Sequence, residues 1–414
     1  MKNTRWLIIG VIACVLIAVI AYFWTTSLMD SIFSYRSPLH NTPPSPGQPI
    51  GPPLTGRVVF VLIDALREDT SRRSDVMPFL NELRSRGAVA AMHSRPPSYS
   101  EPGYTVLLTG AWPDVSDGPT INLDYGEIPT WTQDSLFSAA HQAGLKTGVS
   151  GYYWFEKLIP QSDVDVHFYT PLEDKTADRA VVDAALPWLK DGGTQLILIH
   201  LDQVDYAGHH EGGPIDPRWN EAAKRADDLL REIVSALDFN QDTVLVVSDH
   251  GQIDHGGHGG QDPITLVEPF VLVGAGVKPG QSGDVNMVDV APTLAALLGT
   301  NIPASSQGHV RTEMLNLSPE RLTVLQTALN TQQSQLATAY QAAIGQSVTV
   351  QSDADVVAAT QTAMSEAKAN RSNAERWPRS VIAGIAAIIP AAALLRKRGR
   401  NAMWLWVSAV IYLV

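Results

Sequence analysis

The chain has 414 residues, 45% of them apolar and 17% charged, which is too apolar and too mixed for a disordered protein. Lys+Arg 30 against Asp+Glu 42 leaves a net charge of −12 and argues against a general nucleic-acid binder, which needs a basic footprint. The one cysteine, Cys14, rules out an intrachain disulfide, and it leaves the main body of the chain without a thiol nucleophile or a Cys-based zinc cluster.

Lys2 and Arg5 precede an uncharged run over 6–24. Its 19 residues reach about 28 Å as a helix, close to a bilayer core of about 30 Å. The stretch AYFW is bulky where a cleavage site needs small residues, so the run reads as an uncleaved anchor rather than a signal peptide. Residues 1–5 are then a cytoplasmic tail. Seven prolines from Pro38 to Pro53 predict a stiff linker over 25–56 that lifts a domain off the membrane.

Residues 57–315 alternate strand-like and helix-like patterns. VVFVLI (58–63), LILIHL (196–201), TVLVV (243–247) and FVLV (270–273) read as strands buried on both faces. Apolar residues from Trp219 to Leu237 at spacings of three and four predict a helix, with Pro217 at its start and Asp216 as its cap. The pattern predicts an α/β domain with a mostly parallel central sheet flanked by helices. From Pro319 the composition turns to Gln, Ala, Thr and Ser, with a seven-residue rhythm that Gln332 interrupts; this predicts a helical stalk over 316–376. A second apolar run, 380–395, predicts a C-terminal membrane helix over 377–395. The basic stretch at Arg396, Lys397, Arg398 and Arg400 follows, within 396–414. Both basic ends belong in the cytoplasm, which puts the domain on the extracytoplasmic side. The last run, 402–414, either lies in the interface or opens a third span of a longer chain.

The strand ends carry acids: Asp64 after VVFVLI, Asp202 and Asp205 after LILIHL, and Asp249-His250 after TVLVVS. Open α/β sheets place ligands at the carboxyl ends of their strands, so these acids are expected at one edge. Asp205 and His209 are four residues apart, and His255-Gly-Gly-His258-Gly-Gly follows Asp249-His250. Glycines beside the histidines let backbone approach an ion. Mixed Asp/His donors suit zinc, with manganese as a harder alternative, and three acids with three histidines are too many for one tetrahedral ion. Two divalent ions are therefore expected.

VVFVLIDALRED, SYSEPGYTVLLTG, LDQVDYAGHHEG, VVSDHGQIDHGGHGG and DVAPTLAALLGTNIPASSQG, in this order, resemble the alkaline phosphatase superfamily. Within it they resemble the type I phosphodiesterase/nucleotide pyrophosphatase and GPI ethanolamine-phosphate transferase branch. The resemblance implies an alkaline phosphatase-like fold over 57–315. It implies one metal on Asp205, His209 and His258, and another on Asp64, Asp249, His250 and the nucleophile oxygen. The nucleophile position falls on Ser100, with Ser98 as second choice, and Asn122 falls near a phosphate-binding position. His255, His210 and Asp202 match no family ligand.

The implied function is a membrane-anchored phosphodiesterase/nucleotide pyrophosphatase with a phosphoseryl intermediate, acting on a nucleotide or on a lipid or glycan headgroup. A phosphoethanolamine-type transferase or a phosphomonoesterase on the same core is the alternative. Sulfatases share the fold but need Arg where Tyr104 stands after Ser100-Glu-Pro102. A catalytically dead, membrane-tethered binding protein predicts a lost ligand, and every ligand position is occupied.

Overall fold

A computed structural model describes residues 2–351 and 354–395. The basic stretch from Arg396 and the run 402–414 lie outside the described residues. The centre is one nine-stranded sheet built from β1 (Arg57–Ile63), β2 (Ala88–His93), β3 (Thr147–Tyr152), β4 (Val166–Thr170), β5 (Leu196–Leu201), β6 (Asp242–Val247), β7 (Val267–Gly274), β8 (Gly280–Gln281) and β9 (Val285–Asn286). Their order is β4-β3-β5-β1-β6-β7-β2-β8, with β9 also on β2. β7 runs antiparallel to both neighbours and the remaining pairs are parallel, so the sheet is mixed by this one strand. The four strands expected from apolar runs are present. β2, β3 and β4 escape the same reading because Ala, Gly, His and Ser interrupt their apolar pattern.

Helices cover both faces, which explains the unbroken apolar runs. Val58, Phe60 and Leu62 of β1 enter one core with Leu196 and Leu198 of β5. Val59, Val61 and Ile63 enter the other, against Trp219, Ala226 and Ile233 of the Pro217–Ser235 helix. Asp216 caps that helix by accepting the Arg218 N–H at 2.9 Å.

Outside 57–315, the Pro-rich stretch and the helices after Pro319 pack on the domain, whereas the N-terminal helix is exposed. The N-terminal helix runs over Lys2–Phe33, past Trp24, and its 26-residue part Ile8–Phe33 is exposed and long and apolar enough to cross a membrane. The Pro-rich stretch is a strap and not a spacer. Leu39 is buried with Val115, Leu336 and Tyr340. The Leu54 N–H donates to the Leu297 carbonyl (2.7 Å), and Arg321 donates to the carbonyls of Ile50 and Pro52. Proline supplies no N–H, so a basic side chain from outside satisfies these carbonyls.

The expected stalk is a pair of helices, Pro319–Ile344 and Val356–Leu395, whose inner faces pack on the domain and on each other. Gln332 breaks the leucine rhythm because it is buried and donates to the Ala304 and Ser306 carbonyls. The expected second span at 377–395 falls on the end of the Val356–Leu395 helix. Among the described residues, Ile8–Phe33 alone has the length and apolarity of a crossing helix.

One carboxylate joins the N-terminal helix to the domain. Asp117 is buried and accepts from Arg36 Nε (3.0 Å), the Ser37 N–H (3.1 Å) and Thr132 Oγ1 (2.7 Å); the His40 ring is 2.9 Å away. Burial raises its pKa, but the bonds from Arg36, His40 and Thr132 outweigh this and hold it below the usual carboxylate range. Its stabilisation is therefore present above about pH 4 and is lost as acid protonates it. Asp117 has φ 62°, which Asn tolerates. Asp117→Asn should cost about 2 kcal/mol in thermal unfolding near neutral pH and speed proteolysis at 34–41, with little difference from the parent in acid.

Candidate metal centre and nucleophile

β5, β1 and β6 are adjacent and end together. Leu62 is in register with His200 and Val247, and Ile63 with Leu201. Asp64, Asp202 and Asp249 therefore leave the sheet side by side. His250 follows Asp249 directly. The Gln203–His210 helix begins after Asp202 and puts Asp205 and His209 one turn apart on one face. The Ser100–Thr109 helix crosses the strand ends, with Ser100 as its first residue.

Two glycines permit this approach. A Cβ on Gly103 would lie 2.8 Å from the Asp249 Cβ, and one on Gly208 would lie 1.7 Å from Gln252 Oε1. Gln252 in turn donates to Asp205 Oδ1 (2.8 Å) and accepts from Trp219 Nε1 (3.0 Å), so the core fixes the carboxylate.

The donors form two groups. His250 Nε2 is 3.4 Å from Asp64 Oδ1 and 3.4 Å from Asp249 Oδ2, with Ser100 Oγ at 3.2 Å. Asp205 Oδ2 is 3.4 Å from His209 Nε2, its Oδ1 is 3.5 Å from His258 Nε2, and the two Nε2 atoms are 2.9 Å apart. The His250 and His258 rings stack at 3.9 Å, which sets the groups side by side.

Three observations fit divalent ions here. His250 Nδ1 faces the Gly251 carbonyl (3.1 Å) and His258 Nδ1 faces the Ser98 carbonyl (2.7 Å). Each Nδ1–H is therefore spent on backbone, and each Nε2 presents a lone pair to the carboxylates. Asp64 Oδ1 and Asp249 Oδ2 are buried with no hydrogen-bond partner. Lone pairs facing carboxylate oxygens repel unless a cation lies between them. The separations near 3.4 Å are the edges of a tetrahedron with bonds of about 2.0–2.1 Å.

The electrostatics agree. Burial, with His258 beside it, pushes His250 down to about 4. Burial and then the charges of Asp64 and Asp205 push Asp249 well above the usual carboxylate range. Burial also raises Asp205, but the His209 bond and the neighbouring imidazoles of His258 and His250 outweigh it and hold Asp205 low.

All eight expected site residues are thus brought together. Asn122 Oδ1 accepts the Glu101 N–H (3.0 Å), and with Ser100 it lines a pocket of about 150 Å³ over the donors. A larger cavity of about 360 Å³ lies across the same helix, lined by Pro102, Val106 and Trp112, and does not include Ser100. Ser98, the second choice of nucleophile, is committed elsewhere: its Oγ accepts the Gly259 N–H (3.0 Å) and pairs with Thr265 Oγ1 (3.1 Å). His210 and His255 are exposed. Asp202 is buried in the pocket wall.

Two residues escaped the sequence reading. Tyr104 donates to Asp64 Oδ2, and His200 Nε2 lies 2.9 Å from the same oxygen. They hold Asp64 so that Oδ1 faces His250. The available signal was an imidazole at 200 on the inward, otherwise apolar side of LILIHL.

Comparisons with known proteins follow the same line. A family model described as type I phosphodiesterase/nucleotide pyrophosphatase matches residues 58–364. Human GPI ethanolamine phosphate transferase 2, catalytic subunit, is 30% identical over 301 residues, covering 68% of this chain and 30% of that protein. Mouse GPI ethanolamine phosphate transferase 1 is 28% identical over 348 residues, covering 72% of this chain and 36% of that protein. The chain therefore spans about a third of the length of these relatives. Among solved structures, murine ectonucleotide pyrophosphatase/phosphodiesterase 5 is 14% identical with a TM-score of 0.48, over 59% of this chain and 96% of that one.

Two donor groups predict two divalent ions per chain by elemental analysis; one or none rejects the pairing of sites. Chelation should lower the unfolding midpoint by several degrees, since ions at about 1,000 times their Kd stabilise by about 4 kcal/mol.

Proposed function

The chain belongs to the type I phosphodiesterase/nucleotide pyrophosphatase family, and on that footing we propose that it is a metal-dependent enzyme that cleaves phosphodiesters through a phosphoseryl intermediate on Ser100. The observation that carries this reading is the convergence of unpartnered Asp64 and Asp249 oxygens and the His250 Nε2 lone pair beside Ser100 Oγ. Asp64, Asp249, His250 and Ser100 Oγ would hold one ion, and Asp205, His209 and His258 the other. Imidazole and carboxylate donors suit zinc, with manganese as the harder alternative. Ions bound there lower the pKa of a hydroxyl and offset phosphoryl charge.

Ser100 sits at the positive end of a helix, which favours the developing alkoxide. Its Oγ bonds to phosphorus as the bond to the departing alcohol breaks in line. Asn122, held through its Oδ1, keeps its amide available to a phosphate oxygen. The phosphoryl group on Ser100, still esterified to its second arm, then passes to water or to an acceptor alcohol. Water makes the protein a phosphodiesterase or nucleotide pyrophosphatase. An alcohol makes it a phosphoethanolamine-type transferase, a second reading favoured by the names of the curated relatives. The substrate is a phosphodiester on a nucleotide or on a lipid or glycan headgroup. Lys2 and Arg5 ahead of the apolar helix support a membrane anchor with the catalytic domain outside the cytoplasm.

Ser100→Ala should lower turnover of an aryl phosphodiester by on the order of a thousandfold or more while the metal content stays unchanged. Retained activity would remove Ser100 from the role. Chelation should stop the same reaction, and an unaffected rate would reject metal dependence.

A further inference from the structure

Residues 117–135 join the short helices Pro113–Ser116 and Leu136–Gln142 without forming a helix or strand of their own. Such a stretch has no backbone ladder to fix its side chains. Yet Asn122, inside it, lines the pocket over Ser100. Its fixture comes from the nucleophile's own helix. The first N–H groups of a helix have no partner within it. Tyr99, at the head of the Ser100–Thr109 helix, supplies no side-chain cap. Asn122 Oδ1 does so from 21 residues away, by accepting the Glu101 N–H (3.0 Å). The Glu101 side chain reciprocates, and its Oε1 accepts the Leu123 N–H (3.2 Å). Among the described residues, 121–124 make no other hydrogen bond outside their own loop.

Stability does not account for a carboxyl at this point. Glu101 is 0% exposed, and its Oε2 is buried with no partner. Leaving such an oxygen unpaired costs more than one ordinary hydrogen bond contributes, so an apolar side chain of the same size would serve the core better. Glu101 is absent from the pocket wall that holds Ser100 and Asn122, so any effect on the reaction passes through its neighbours. We propose that Glu101 is the positioning residue for Asn122. The paired bonds tie the Asn122 amide to the first turn of the helix that carries Ser100. The attacking oxygen and the group that receives a phosphate oxygen then keep one spacing. This rests on the reading of Ser100 as nucleophile and Asn122 as phosphate ligand.

A double-mutant cycle on the aryl phosphodiester tests it, with the full chain in detergent and divalent metal. Asn122→Ala should lower kcat by about a hundredfold. Glu101→Leu keeps the size but loses the acceptor, and should lower kcat by about tenfold with the metal content unchanged. Glu101→Gln keeps an oxygen for Leu123 and should recover most of that loss. In the Asn122→Ala background, Glu101→Leu should remove less than about twofold more, because the group it positions is gone. Losses that multiply in the double variant, or a Glu101→Leu chain with the parent's kcat, overturn the role. Hydrogen exchange of the parent needs no substitution. The Leu123 N–H should exchange at least about a hundredfold more slowly than in a free loop, and exchange at the free-loop rate overturns the tie. Binding of inorganic phosphate to the metal-loaded Ser100→Ala chain separates this role from the activity. Asn122→Ala and Glu101→Leu should each weaken it by about tenfold, and the two together no further. If no ester is turned over but this pattern holds, the nucleophile reading falls and the positioning role stands. If turnover holds and the pattern is absent, only the positioning role falls.

Discussion

Asp64, Asp202, Asp205 and Asp249 crowd one edge of a sheet, and the surrounding structure is organised by the need to hold that negative charge. Removing an ionised carboxylate from water costs several kcal/mol unless it is paired and hydrogen-bonded. The fold compensates selectively. Tyr104 and His200 occupy Asp64 Oδ2, and Gln252 occupies Asp205 Oδ1. Asp249 Oδ1 accepts the N–H of Ala65, whose φ of 57° is left-handed and costs about 1–2 kcal/mol for an alanine. Strain at that point is tolerated because it lets the backbone turn its N–H toward a buried charge. The oxygens left unspent, Asp64 Oδ1 and Asp249 Oδ2, point where His250 and Ser100 meet.

The same economy explains the supporting elements. The parallel strands β5, β1 and β6 deliver three acids without any loop having to be long. The Ser100–Thr109 and Gln203–His210 helices are each admitted by one glycine. Trp219, deep in the second core, reaches Asp205 through Gln252.

The acids and histidines were legible because each stands directly after an apolar strand or one helical turn from another donor. The N-terminal apolar helix was legible as an uncharged run. His200 and Tyr104 were not, because their partner Asp64 is far away in sequence and only strand register and helix crossing bring them together. Tyr152 ends β3 and Glu173 follows β4, two strands whose broken patterns hid them. The Pro-rich strap was read as a spacer because its composition outweighs the few apolar contacts at Leu39, Ile50 and Leu54. Gln332 looked like a defect in a coiled rhythm, when its amide was serving backbone carbonyls across an interface.

The Asp117 clasp has a mechanical consequence. The apolar helix ends at Phe33, and Arg36, Ser37 and His40 are already bound to one buried carboxylate. There is no slack between the two, so the connection is a joint and not a leash. On the proposed reading of that helix as a membrane anchor, a leashed domain would sweep a hemisphere and sample substrates at every height above it. A jointed one keeps its mouth at a set stand-off and tilt from the point where the helix emerges. Which molecules reach Ser100 is then decided partly by where they are presented, before any side chain in the pocket has touched them.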